Sequence, residues 1–422
     1  MKINSIGFVG LSHLGLNYLA ASAEKGFKVI GFHDDINLIT KLKKNKSIIS
    51  EPGLTKLLTK NKKKIIFTPK IKDLKNCDII FVSLDIPTDL RNKSNLKKIN
   101  FYIKKIKKTL PKNSVIVILC QVPPGFTERI RWDKKNLYYQ VETLVFGNAV
   151  QRALNPERII IGSKNKSLKI NQKYNFYLKK FRCPIFHMDY LSAELTKISI
   201  NIFLASSITT TNSLAELCEK IGASWGDIYP ALQEDKRIGK YAYIKPGLGI
   251  SGGNLERDLN TATDIANKFN SNQQTFKNFI VNSKKRKNWI YEILNKIYLN
   301  KAKSSHKIGI LGLSYKENTD SIKNSPAIYL IKKLKKKHIH VYDPMVPNMY
   351  LGKNVKRFST INEFLKNLDV LIIATPWSKF KKIKTNQLLK YIKKKIVIDP
   401  YQIFNKTKLT EKGFTYKTLG EK

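Results

Sequence analysis

Ile6-Gly7-Phe8-Val9-Gly10-Leu11-Ser12-His13-Leu14-Gly15 carries a short apolar run into a glycine turn and then into the start of a helical pattern. The apolar run covers residues 3–9, the helical pattern continues through Lys25, and a second apolar run covers 28–32. Strand, helix and strand within about thirty residues open a doubly wound nucleotide-binding fold. The turn matches the dinucleotide fingerprint Gly-x-Gly-x-x-Gly except at its middle glycine, which is Ser12. That glycine lets the backbone approach a pyrophosphate, so a serine either crowds the site or offers its hydroxyl to a phosphate. Gly10, Ser12 and Gly15 are the first candidate cofactor contacts. The motif is weak alone and gains its meaning from the strand before it and the helix after it.

Further buried strands are expected at 65–67, 79–83, 115–119 and 159–161, each short, apolar and bounded by polar residues, Pro or Gly, as in parallel strands covered on both faces. From Ser192 to about Cys218 small residues mix with Leu and Ile in a long helical stretch, and more helix is expected over 258–270 and 274–299. A second strand-turn-helix-strand unit starts at Lys307-Ile-Gly-Ile-Leu-Gly312 and closes its second strand at His340-Val-Tyr-Asp343. The fold class is therefore α/β, with two Rossmann-like doubly wound domains joined by a central helical domain. The expected divisions are 1–188, 189–300 and 301–422.

With 422 residues and 42% apolar content, the chain has material for two or three cores. A formal charge of +47 raises the question of nucleic acid. Only ten of the 78 basic residues are arginine, and the lysines are spread from end to end, with runs at 60–64 and 332–337 near expected element ends. Base and phosphate readers lean on arginine forks gathered on one face, so specific nucleic-acid binding is not expected. A basic surface favours anionic substrates only as a general field. Cys77, Cys120, Cys183 and Cys218 show no paired spacing, no metal site is expected, and no apolar run approaches a membrane span. A soluble, cytoplasmic protein without a signal peptide is the expectation.

The stretch Pro246-Gly247-Leu248-Gly249-Ile250-Ser251-Gly252-Gly253-Asn254-Leu255-Glu256-Arg257-Asp258 resembles the catalytic loop of the UDP-glucose/GDP-mannose dehydrogenase family, Gly-aromatic-Gly-Gly-small-Cys-x-x-Lys-Asp. The resemblance covers essentially the whole chain. It implies the same architecture, NAD as cofactor, a nucleotide sugar as substrate and a homodimer or larger homo-oligomer. Asn254 stands where the family has its nucleophilic cysteine, and an amide hydrogen-bonds but forms no thioester.

Collinear motifs carry the other roles. Ser192-Ala-Glu-Leu-Thr-Lys197-Ile-Ser-Ile-Asn201 implies an oxyanion-stabilising Lys197 and a water- or hydroxyl-holding Asn201, four apart and so on one helical face. Val141-Glu142-Thr143-Leu144-Val145-Phe146-Gly147 resembles Pro-Glu-Phe-Leu-x-Glu-Gly, giving Glu142 the role of the first family glutamate and Leu144 a substrate contact, while Phe146 replaces the second glutamate. Asp258 matches the acid that assists proton transfer from the sugar hydroxyl, and Arg257 offers charge to the cofactor phosphates. Arg237 in Asp235-Lys236-Arg237-Ile238-Gly239 matches an arginine that reaches a neighbouring subunit's substrate, and Tyr243, Lys245 and Gly252 match the substrate loop. Lys316 and Lys323 match the substrate and cofactor positions of a C-terminal motif, Leu311-Gly-Leu-Ser-Tyr-Lys316 through Lys323-Asn-Ser-Pro326.

At the second strand end, Gly31-Phe32-His33-Asp34-Asp35, the family's ribose-binding aspartate aligns with His33. Either Asp34 takes over, or His33 marks a 2′-phosphate and hence NADP. Ser50-Glu-Pro-Gly-Leu54, Leu84-Asp-Ile-Pro-Thr-Asp89 and Gln121-Val-Pro-Pro-Gly125 also correspond to family segments, with the family threonines replaced by Ile86 and by Gln121, the latter a candidate cofactor contact. Asp399-Pro400-Tyr401 stands where the family has Asp-x-Arg. Two readings follow: a nucleotide-sugar oxidoreductase of surface-polysaccharide synthesis, stopping after one oxidation or oxidising a hydrated aldehyde directly, or a silent member that binds a nucleotide sugar or regulates an active paralogue. Cys120, beside Gln121, is a remote candidate for a displaced thiol and otherwise plain packing.

Overall fold

The computed structural model describes residues 3–44, 49–88, 94–300, 307–335 and 337–422, so Asp89 lies outside the described residues, as does one residue of the 332–337 lysine run. The chain divides into two compact units, Met1–Ile200 and Asn201–Lys422. The first unit holds β1 (Ile6–Val9), β2 (Val29–Phe32), β3 (Ile65–Thr68), β4 (Ile79–Val82), β5 (Val115–Ile118), β6 (Leu137–Gln140), β7 (Ile159–Ser163) and β8 (Ile185–Asp189). Its helices are α1 (His13–Glu24), α2 (Ile36–Lys43), α3 (Leu54–Lys60), α4 (Lys97–Thr109), α5 (Ala149–Leu154) and α6 (Gln172–Lys179). Helix α7 (Tyr190–Ile221) begins in this unit, and the unit boundary falls inside it.

The first sheet has the order β3-β2-β1-β4-β5-β6-β7-β8. The order reverses beside β1, where a doubly wound sheet opens its ligand crevice at the carboxyl ends of the strands. Both faces of β1 are buried: Ile6 and Phe8 join one apolar cluster and Val9 the other, which is why the strand reads as an unbroken apolar run. The parallel expectation holds for every pair but one, since β6 and β7 run antiparallel through Tyr139↔Gly162 and Gln140↔Ile161. Strands β6 and β8 were not anticipated. In β6, Leu137-Tyr-Tyr-Gln is buried along its whole length, and Gln140 hides in the core by accepting a hydrogen bond from the Tyr174 hydroxyl at 2.8 Å, a pairing distant in sequence.

The second unit holds α8 (Trp225–Glu234), α9 (Asn254–Lys268), α10 (Gln274–Lys287), α11 (Trp289–Leu294) and α12 (Pro326–Lys333), and a parallel sheet. That sheet comprises β9 (Lys307–Leu311), β10 (His338–Tyr342), β11 (Val355–Arg357), β12 (Leu368–Ile373), β13 (Ile392–Ile398) and β14 (Thr415–Lys417) in the order β11-β10-β9-β12-β13-β14. The expected helix over 274–299 is interrupted at Asn288, which caps both α10 and α11. Helix α9 starts four residues earlier than expected, so Asn254 is its first residue.

Candidate functional site

The glycine turn after β1 is shaped by two backbone demands. Gly10 has φ +101°, and a Cβ at Gly15 would lie 1.9 Å from the Gly10 carbonyl oxygen. Ser12 caps α1 without bonding the helix's own amides, its hydroxyl pointing instead to the Ser83 carbonyl at 3.4 Å. The first-turn amides of this twelve-residue helix are therefore left by Ser12 for an external acceptor, as a pyrophosphate site requires. Across the turn, Ser83 Oγ donates to the Gly10 carbonyl at 2.9 Å and holds β4 against it. These residues fit a bound dinucleotide.

At the end of β2, Asp34 keeps a half-exposed carboxylate that accepts from the Tyr102 hydroxyl. His33 uses Nδ1 to accept the Asp35 amide at 3.1 Å, and burial lowers its pKa. The neighbouring carboxylates at this strand end repel a 2′-phosphate, whereas the Asp34 carboxylate suits a ribose hydroxyl. Asp35 caps α2 by accepting the amides of Asn37 and Leu38.

Gln121 follows β5 and is half-buried. Beside it, Cys120 is fully buried, its thiol donates to the Val82 carbonyl at 3.1 Å, and burial pushes its pKa far up. It therefore makes a poor nucleophile and packs as an ordinary core residue. The segment that follows is gripped by Glu194 of α7, whose buried carboxylate accepts the amides of Gly125 and Thr127. One turn further along α7, Lys197 Nζ meets Glu142 Oε1 at 2.7 Å, both side chains about nine-tenths buried. Glu142 Oε2 also accepts the Leu144 amide at 3.1 Å. The first unit thus gathers Gly10, Ser12, Gly15, Asp34, Gln121, Glu142, Leu144 and Lys197 on segments at strand ends or on α7.

In the second unit, Asn201 Nδ2 donates to Asp258 Oδ2 at 2.5 Å, and Arg257 Nε lies 3.3 Å from Asp258 Oδ1, with all three residues buried. Asn254 is exposed at the first position of α9, where partial positive charge from unpaired amides gathers. The loop before it is tightly held. Gly252 has φ +76° and donates its amide to the Lys323 carbonyl at 3.1 Å, and a Cβ there would come within 2.9 Å of the Tyr315 ring. The Lys323 ammonium packs over Gly253, its pKa lowered by partial burial and by Arg257. Asn324 donates to the Ile250 carbonyl at 3.2 Å and to Glu256 at 2.6 Å, and it accepts from buried Lys287, whose pKa burial lowers to about 8. Lys316 lies 5.8 Å from the Tyr315 ring centre.

Other expected substrate residues stand apart from this cluster. Arg237 is 89% exposed and its guanidinium forms a local fork with the Asp235 carboxylate. Tyr243 is exposed, and Lys245 sits over the Tyr229 ring at 5.6 Å. Tyr401 packs half-buried against the core, donating its hydroxyl to the Ala374 carbonyl at 3.3 Å, so it does not replace the family arginine as a charged anchor. Asp343, after β10, is a hub: its carboxylate accepts the amides of Leu313, Ser314, Met345 and Val346 and the indole N–H of Trp377. Glu51, Glu194, Asn324, Lys287 and Asp343 were given no role from sequence, because a lone polar residue announces its partners only once the chain is folded.

The NAD binding domain of the UDP-glucose/GDP-mannose dehydrogenase family matches residues 4–179, its central domain residues 191–284 and its UDP binding domain residues 309–406. The chain belongs to this family. UDP-glucose 6-dehydrogenase of Rickettsia bellii is 30% identical over 99% of this chain and all of its own length, and that of Rickettsia typhi is 29% identical over the same shares. Among solved structures, a UDP-glucose dehydrogenase from Pyrobaculum islandicum superposes with TM-score 0.86 at 22% identity, covering 99% of this chain and 97% of that one. A UDP-D-ManNAc dehydrogenase from Pyrococcus horikoshii gives 0.85 at 21%, covering 99% of each. These two share the fold. As a member of the UDP-glucose/GDP-mannose dehydrogenase family, the chain takes NAD as cofactor, in keeping with the Asp34 carboxylate. Among the described residues no helix is long and apolar enough to cross a membrane, and no cluster of His, Cys, Asp and Glu gathers for a metal.

Proposed function

We propose that this protein is a UDP-sugar oxidoreductase of surface-polysaccharide synthesis that transfers a hydride from a sugar carbon to NAD in a single two-electron step. The buried Lys197–Glu142 pair carries this reading. Desolvating two charges is costly and is a weak source of stability, so such a pair at a strand end and on the helix matching the family motif favours a functional use. NAD, when bound, accepts the hydride. Lys197 stabilises the developing oxyanion, Asn201 holds the reacting hydroxyl, and Asp258 receives or relays its proton. Asn254 cannot add to the resulting aldehyde to form a thiohemiacetal, so the second oxidation lacks its covalent handle. Gly10, Ser12, Gly15, Asp34, Gln121, Arg257 and Lys323 serve the cofactor, and Leu144, Arg237, Tyr243, Lys245, Gly252 and Lys316 the sugar nucleotide.

The same reading divides the chain at 188/189 and 300/301 and places it in the cytoplasm, where its four free cysteines stay reduced. It also assigns a homodimer. Phe203 is 76% exposed on α7, and Leu214, Leu217 and Ile221 are exposed along the same helix, an apolar surface that suits a second copy. The silent-member alternative draws support from Tyr401, which stands where the family has an arginine and spends its hydroxyl on the Ala374 carbonyl.

NADH formation with a panel of UDP-sugars, counted against sugar consumed, tests the proposal. One NADH per sugar is expected, rising to two with Asn254→Cys. Two from the native chain would refute the single step, and silence in both proteins would leave the binding role.

A further inference from the structure

One buried carboxylate ties the glycine turn to the segment after β6. His13, the first residue of α1, places Nε2 2.7 Å from Glu51 Oε2, and the Glu51 side chain is wholly shielded from solvent. The same carboxylate accepts the amides of Gly147 at 3.0 Å and Ala149 at 2.9 Å. Phe146, which replaces a family glutamate, lies on the His13 ring with centroids 3.9 Å apart and planes 24° apart. Four residues before Phe146 stands Glu142, the partner of Lys197.

A carboxylate that only capped the 147–149 turn would need the two amides alone. The third partner, His13, belongs to the turn that takes the cofactor. Removing the carboxylate would strand the buried Ala149 N–H and the half-buried Gly147 N–H and leave the imidazole without its acceptor, each at a cost. The two segments therefore keep their mutual placement through one side chain and one stacked ring.

We propose that Glu51 is a positioning residue, which through His13 and the 146–149 turn sets the cofactor turn and the Glu142 segment in register with each other. The proposal rests on the dehydrogenase reading above. Phe146 is then no empty loss: its ring shields the His13–Glu51 contact from water, which a second glutamate there would not do.

The test uses the full-length chain with His13→Phe and Glu51→Gln, measuring NAD affinity by titration calorimetry, amide hydrogen exchange over 146–150 and the melting temperature. His13→Phe keeps the stacked ring and leaves Glu51 on its amides, so it should retain amide protection yet bind NAD about tenfold more weakly, the worth of one charge-assisted hydrogen bond. Glu51→Gln should lose both affinity and amide protection, with the larger rise in KM falling on NAD. Native NAD affinity in His13→Phe at an unchanged melting temperature would overturn the proposal. If the native chain itself took up no NAD, the dehydrogenase reading would fall, and unchanged exchange at Gly147 and Ala149 in Glu51→Gln would separately overturn the clamp.

Discussion

Asn254 and Lys287 show how differently two residues of one neighbourhood reveal themselves. Asn254 was legible from its place in a glycine-rich motif, and the structure adds that it sits exposed at the head of α9. Lys287 was one lysine among many, and only folding buries it beside Asn324 and Glu256. Burial lowers its pKa from 10.5 to about 8, so between those values the unfolded chain binds the proton and the folded chain does not. By linkage, stability is depressed at neutral pH and rises as pH climbs from about 8 towards 10.5, by about 3 kcal/mol. Urea midpoints of the native chain and Lys287→Met, followed from about pH 7 to pH 10, should converge as pH rises, with the variant the more stable at pH 7. Parallel curves would show that the ammonium is not desolvated.

Among elements, the strand-turn-helix opening was readable because its constraints are local: an apolar strand, two glycines at fixed spacing and a helical period. The same logic located β3, β4, β5, β7 and α7. Strand β6 escaped because its tyrosines and Gln140 are satisfied by distant partners, and its antiparallel pairing with β7 depends on a connection that sequence spacing does not reveal. Likewise α10 and α11 share one helical period, and only Asn288 separates them. The glycine turn yields an element-level expectation. A methyl group at Gly15 has the Gly10 carbonyl oxygen 1.9 Å away, so either α1 or the turn must shift. Gly15→Ala should cost about 1–3 kcal/mol in denaturant unfolding, the usual range for overpacking, and should abolish detectable NAD binding in a fluorescence titration. Native affinity would mean that the turn yields without loss.

For the molecule as a whole, the +47 charge is the most conspicuous number in the sequence and explains little of the fold. The sheets are set by their apolar strands, and the ion pairs that matter, Lys197–Glu142 and Arg257–Asp258, draw on few of the 78 cations. The assembly is better read from α7. If the homodimer proposed above forms through this face, Phe203→Lys should shift the molecular mass by light scattering from that of two chains to that of one, and an unchanged mass would overturn that assignment. Asp343 bears on how such a composition arises. Among the described residues, four of the six hydrogen bonds to its carboxylate come from main-chain amides, which every residue except proline supplies; the others come from the Ser314 hydroxyl and the Trp377 indole. The hub therefore holds the backbone at 313, 345 and 346 without calling on those residues' side chains, while Ser314 adds its hydroxyl. Lysine can crowd the surface of such a chain without loosening loops that are tied through their backbone.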